Sequence, residues 1–333
     1  MPARFDAVLL IAFGGPRGRA DIRPFLANVL RGRRVTPQRV EEVAHHYELF
    51  DGVSPITELT NRQAGALREA LMSEGANLPV YVGMRNWDPY LRDTLAEMSR
   101  QGVRRAVAVI AAAHRSYSSC TQYRENVADA RRTLRNAGLP DVEITYVNDW
   151  HLAPGFIEAN ADRVSAALAT LPASVRPDAP LVFTAHSIPL SMAQQYPYQR
   201  QLEESSAAVA AALASRTPYS APRPWRLVFQ SRSGRPEDPW LEPDVCDDLR
   251  QAAAAGVRAL GLCPIGFVCD HVEVLYDLDV EAADAARSVG LVLARAAAVN
   301  DHPRFVEALA GAVLNTIERY AQGRALPLVP VTA

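Results

Sequence analysis

The feature that most constrains this chain is an internal echo. The stretch GMRNWDPYLRDTLAEMSRQGVRRAVAVIAA (residues 83–112) is repeated in outline by QSRSGRPEDPWLEPDVCDDLRQAAAAGVRALGLCPIG (residues 230–266). Each copy runs from an apolar strand through an arginine-bearing loop to Asp-Pro, an aromatic residue and a leucine. A helical stretch, a Gly-Val-Arg run and a second apolar strand follow. The Asp-Pro pairs fall at Asp88-Pro89 and Asp238-Pro239, and the Gly-Val-Arg runs begin at Gly102 and Gly256. Strands alternating with helices imply parallel sheets joined by crossovers. The repetition therefore predicts two similar doubly wound, Rossmann-like α/β domains facing a central cleft. With 333 residues the chain has room for both. The boundary is expected near residues 149–154, giving domains 1–150 and 151–333. A final helix over about 303–322 has either half to pack back on, the N-terminal domain included.

The rest of the chain keeps this alternation. Short apolar runs such as AVLLIAF, PVYVGM, AVAVIAA, ITYV, PLVFTA, RLVFQS and RALGLCPIG read as strands buried on both faces. SPITELTNRQAGALREALMSEG, GFIEANADRVSAALATL and RFVEALAGAVLNTIERYAQG carry apolar residues at helical spacing. The formal charge of −2 offers no broad field for nucleic acid or an anionic membrane, and no apolar run is long enough to span a bilayer. The opening MPARFDAVLLIAFGGP lacks the order of a signal peptide. A cytoplasmic monomer without nucleic-acid partners is expected. None of the four cysteines, Cys120, Cys246, Cys263 and Cys269, forms a Cys-x-x-Cys pair, which fits free thiols in a reducing compartment.

In open α/β sheets ligands gather beyond the carboxyl ends of the strands. Four such ends carry unusual residues: Phe13 with Gly14 and Gly15, residues 114–119, His186 with Ser187, and residues 270–273. Under the repeat, Phe13 corresponds roughly to His186 and residues 116–119 to 270–273. His186 directly follows an apolar strand, where a neutral imidazole can accept a proton or ligate a transition metal. In DHVEVLYDLDVE, His271 and Glu273 sit at a strand–helix junction, and Glu273, Asp277 and Glu281 follow at i, i+4 and i+8. That spacing puts them in one stripe along an α-helix, either a solvated face or a row of oxygen ligands for a divalent cation.

Taken together, FGGP, RGR at 31–33, HYELFDGVSPI, GMRNWDPY, SYSSCTQYREN, TAHSIP, FQSRSGRPEDPWLEPDV and GFVCDHVEVLYDLDVE resemble the ferrochelatases over almost the whole chain. TAHSIP with DHVEVLYDLDVE is the most specific part. The resemblance implies a chelatase-like cleft in which Fe²⁺, as substrate, is inserted into a porphyrin. It carries the metal-handling and catalytic roles onto His186 and Glu273, and the family's outer relay for metal or protons onto His271, Asp277 and Glu281. Porphyrin-contacting positions fall on Phe13, Val29, Arg31, His46, Tyr47, Ser54 and Tyr123. The order in which His186 and Glu273 take protons and iron stays open.

The chain departs from some relatives. Phe13 stands where a tyrosine can ligate product iron, and Leu30 stands where a second arginine can meet a propionate; Arg33, Arg34 or Arg85 are candidates to compensate. No cysteine follows Cys269, so no iron–sulfur cluster is expected, nor any tightly bound cofactor. The basic RGRR stretch and the likeness to Gram-positive-type relatives favour coproporphyrin III over protoporphyrin IX. A cobalt chelatase would lack the DHVEVLYDLDVE signature. A non-enzymatic tetrapyrrole carrier would have no use for a histidine facing an acidic row. A nicotinamide dehydrogenase fails because the first strand ends in Phe13-Gly14-Gly15-Pro16 rather than G-x-G-x-x-G.

Overall fold

The computed structural model describes residues 5–32, 35–216, 222–234 and 237–323. Among these residues two four-stranded sheets, parallel throughout, carry the fold. The first holds β1 (Ala7–Ala12), β2 (Val80–Met84), β3 (Arg105–Ile110) and β4 (Glu143–Tyr146) in the order β2-β1-β3-β4. The second holds β5 (Leu181–His186), β6 (Trp225–Gln230), β7 (Ala259–Cys263) and β8 (Val292–Arg295) in the order β6-β5-β7-β8. The central strands are buried end to end: every residue of AVLLIA in β1 and ALGLC in β7 is buried. Helices cover both faces, which is why these strands read as continuous apolar runs rather than alternating ones.

The registers make the repeat exact enough to match residues. Val8 lies between Val80 and Val107, and Leu181 lies between Trp225 and Gly261. Superposing those rungs makes Phe13 the counterpart of His186 and Ser116 the counterpart of Asp270. Both Ser116 and His271, which open the following helical segments, have extended backbones, and both segments contain π-helical turns, Tyr117–Thr121 and Leu275–Ala282.

Two details of the repeat differ from the sequence pattern. The partner of Asp88-Pro89 is Glu242-Pro243, not Asp238-Pro239. Met84 donates its N–H to the Pro89 carbonyl (2.7 Å), and Phe229 donates to that of Pro243 (2.8 Å). In each case the residue after the proline opens the next helix, Leu91–Arg100 or Val245–Ala254. The role belongs to the proline carbonyl and the cap that follows it, and the acidic residue in front is incidental. The eighth strand, β8, is also absent from the sequence reading, because its short VLAR run leads into an alanine-rich stretch that looks helical.

The largest apolar cluster crosses both halves, joining Val8, Leu10 and Val109 with Phe156, Phe183, Ala185 and Val313. The last helix, Pro303–Ala321, packs on Ile56–Ser73 of the first half as well as on Pro154–Ala169. Tyr320 from it meets Phe5 edge-on at 5.1 Å, and Arg62 reaches Asp301 at 3.0 Å. The buried Gln63 amide adds a polar stitch, donating to the carbonyl of Asn300 (2.7 Å) across the two halves. The carboxyl ends of both sheets are thus fixed relative to one another. Among the described residues no helix is long and apolar enough to cross a membrane.

Candidate active site

β5 delivers the first functional side chain. Side chains alternate along a strand, so His186 shares a face with Val182 and Thr184. The segment after β7 covers that face, with Val274 and Leu278 packed into the same cluster as Val182. This packing brings Glu273 against His186: Oε1 lies 3.5 Å from His186 Nε2, while Oε2 lies 3.5 Å from His271 Nε2. One carboxylate thus stands between two imidazoles at ion-pair distance, longer than a good hydrogen bond. His186 Nδ1 donates to the Ser187 carbonyl. With that proton committed, Nε2 is the atom left to bind a proton or a metal. The Tyr198 hydroxyl donates to the His186 carbonyl at 3.1 Å and braces the strand end. His271 Nδ1 is buried and finds no partner among the described residues.

The electrostatics follow from this contact. Burial alone would lower the His186 imidazole, but the Glu273 carboxylate, the Ser187 carbonyl and Asp277 outweigh it and hold the group above its ordinary value. Burial alone would raise Glu273, yet His186 and then His271 keep it well below the usual carboxylate range. Asp277 goes the other way: burial first, then Glu273, push it up to about 7 against the opposing bond from Ser231. One group is therefore held anionic beside another that exchanges a proton near neutrality, the kind of separation acid–base chemistry uses.

The acidic stripe is not the regular α-helical row suggested by its spacing. Val272–Val274 begins as α-helix, then Leu275–Ala282 widens into π-helix before Ala283–Ser288 resumes. Such widened turns re-aim side chains and recur at functional sites. Asp277 turns inward and is buried, accepting from Gln230 Nε2 (3.2 Å) and from the Ser231 hydroxyl. Glu281 stays exposed, its carboxyl raised by partial desolvation and by Asp244. Two imidazoles and oxygen donors suit a divalent transition metal. Among the described residues, however, no three His, Cys, Asp or Glu side chains are arranged to enclose one. The cluster can offer a passing ion some ligands while leaving others to substrate and water.

The wall facing this cluster comes from the first half. Phe25 meets Phe13 (6.2 Å), Tyr47 (5.6 Å) and Trp87 (6.2 Å) edge-on, with Val29 packed beside them. Val272, the residue between His271 and Glu273, belongs to the same apolar cluster. His46 stacks on Tyr276 at 3.5 Å with planes 11° apart, tying helix Pro37–Glu48 to the π-helical turn. The structure therefore gathers Phe13, Val29, His46 and Tyr47 around the segment that carries Glu273. Arg31 is exposed at the margin. Ser54 is buried behind Gly15, where an added Cβ would come within 2.6 Å of the serine Cβ. Tyr123 is buried in the separate cluster on the far face of the first sheet, its phenol pushed up to about 12 by burial, with Arg85 over its ring at 5.9 Å. Arg33 and Arg34 lie outside the described residues.

Sequence reasoning missed Ser231, Gln230, Tyr198 and Tyr276. Ser231 has a left-handed backbone (φ 61°), which is uncommon for a residue with a side chain and aims its hydroxyl at Asp277. Only the neighbouring arginine and glycine of QSRSG marked that loop in the sequence.

A model of the ferrochelatase family matches residues 5–317. A protein from Streptomyces griseus named coproporphyrin III ferrochelatase is 47% identical, with 98% of this chain and 88% of that protein covered. A ferrochelatase from Rhodopirellula baltica is 45% identical over 97% of this chain and 89% of its own. Among solved structures, SirB from Bacillus subtilis with Fe³⁺ shares the fold at a TM-score of 0.57 and 11% identity, covering 97% of this chain and 100% of its own.

Proposed function

The chain belongs to the ferrochelatase family, and from that premise we propose that it inserts Fe²⁺ into coproporphyrin III during haem synthesis. What supports the chemistry is the Glu273 carboxylate held between His186 and His271 across from the aromatic wall. Metallation replaces two pyrrole protons with one cation, so the site must take up two protons and hand over an ion stripped of part of its water.

The porphyrin lies against Phe13, Val29 and Tyr47, with Trp87 beside them; apolar and aromatic faces grip a flat ring and hold it short of planarity. His186 Nε2 and Glu273 reach the ring's metal face, one as proton acceptor and the other as iron ligand. His271 holds the far oxygen of Glu273. Protons then leave by way of Asp277, whose carboxyl burial and Glu273 push up to about 7, towards Glu281 at the surface. Arg31 and Ser54 serve the ring's carboxylates, and Tyr123 supports the wall from behind. We assign no iron–sulfur cluster to the chain, and we place it as a cytoplasmic monomer.

Relatives named coproporphyrin III ferrochelatase at 45–49% identity support the choice of porphyrin. The test is anaerobic turnover with Fe²⁺ and either porphyrin, followed by the change in absorbance. A kcat/KM at least tenfold higher for coproporphyrin III is expected. An equal or higher value for protoporphyrin IX would reassign the substrate, and tight binding without metallation would make the chain a carrier.

A further inference from the structure

Helix Ile22–Val29 ends at the margin of the cleft, and the exposed Arg31 follows it. An arginine in that position has many rotamers, and ordering one on binding costs affinity. Here its guanidinium is already held: Arg31 Nη2 donates to Asn28 Oδ1 at 2.7 Å. The opposite end of the same amide is committed twice. Asn28 Nδ2 donates to the Asn86 carbonyl (3.2 Å) and to the Tyr90 hydroxyl (3.0 Å). With both amide hydrogens spent on the loop that follows β2, the carbonyl oxygen has to face Arg31. That loop is anchored to the wall of the site, because Asn86 N–H donates to the Phe13 carbonyl (3.0 Å) and Trp87 packs edge-on against Phe25. The chain Phe13, Asn86, Asn28, Arg31 thus runs without a break from the ring-facing wall to the guanidinium.

We infer that Asn28, buttressed by Tyr90, is a positioning residue that presets Arg31 to receive a carboxylate at the edge of the porphyrin. The fork of Arg31 retains free donors for a bidentate carboxylate while one nitrogen stays on Asn28. The inference rests on the proposed function and deepens it.

Coproporphyrin III binding to the full chain is measured without metal by fluorescence quenching, alongside KM and kcat for metallation. The proteins are wild type, Asn28→Ala, Arg31→Ala, the double variant and Tyr90→Phe. Loss of the preset arginine should raise Kd and KM for the porphyrin about three- to tenfold in Asn28→Ala, the ordering cost of one long side chain. The kcat and the KM for Fe²⁺ should not change. Tyr90→Phe should move the same quantities less. In the Arg31→Ala background the Asn28 substitution should add nothing, since its effect passes through the arginine. Unchanged binding in Asn28→Ala, or the same loss with Arg31 already removed, overturns the inference. Failure of the wild type to bind the porphyrin would instead strike at the proposed function and take the inference with it.

Discussion

Replacing Asp277 with asparagine should stabilise the folded chain at pH 8 and slow metallation at the same time. The carboxyl is buried and faces Glu273, which pushes it up to about 7 from the ordinary 3.8. For an acid raised in this way the folded state binds more protons than the unfolded one across that window. Stability therefore falls as pH rises from about 4 to about 7, and the full penalty persists above it. At ~1.36 kcal/mol per pH unit the gap sets a ceiling of about 4 kcal/mol. Asp277 and Glu273 titrate as a pair, so about 2 kcal/mol is the expected net effect. Asparagine keeps an acceptor for the Ser231 hydroxyl and carries no charge to desolvate. Urea unfolding at pH 5 and pH 8 measures the outcome. The variant should gain a little under 1 kcal/mol at pH 5 and about 2 kcal/mol at pH 8, the latter a midpoint shift of roughly 0.7 M for a slope near 3 kcal/mol per M. Turnover should fall about tenfold with porphyrin binding intact, because the proposed outward proton path has lost its exchangeable member. Parallel stability profiles for the two proteins, or an unchanged rate, would refute the reasoning.

Glu273→Gln should bind porphyrin normally but metallate it about 10²- to 10⁴-fold more slowly, the usual range for losing a positioned acid–base group. In the same variant the His186 imidazole should titrate at lower pH than in the wild type, read from its ring protons by NMR, because Glu273 is the main influence holding it up. Gly15→Ala should cost about 1–3 kcal/mol by overpacking, visible as a lower melting temperature, because the new methyl would meet Ser54 Cβ at 2.6 Å and Ile56 Cγ2 at 2.8 Å. Ser231→Ala removes the bond that opposes the rise of Asp277, so the acidic limb of the pH–rate profile should move to higher pH.

Much of this architecture was legible because it is written twice. The Gly-Val-Arg runs fall at equivalent positions just before β3 and β7, and that register carries Phe13 onto His186. The Asp-Pro match failed because it followed residue identity, whereas the structure repeats a proline carbonyl that accepts from a strand. A four-residue edge strand such as β8 leaves too little pattern to separate it from the alanines that follow. His186, His271 and Glu273 stood out at strand ends, and the fold brings them within ion-pair reach. The inward turn of Asp277 was not legible, since spacing along the sequence cannot distinguish an α-helical turn from a π-helical one. Nor was Ser231, whose part depends on a backbone conformation that serine seldom adopts. The stack of His46 on Tyr276 joins residues far apart in the chain, and no local pattern announces it.

We propose that His186 and Glu273 together metallate a porphyrin held against the Phe13 wall. The most direct test is single-turnover mixing of porphyrin-loaded protein with Fe²⁺ under anaerobic conditions, wild type beside His186→Ala. We predict that both proteins bind coproporphyrin III with similar affinity and that the variant's metallation rate falls by about 10³-fold or more. A variant that metallates at the wild-type rate would remove His186 from the chemistry.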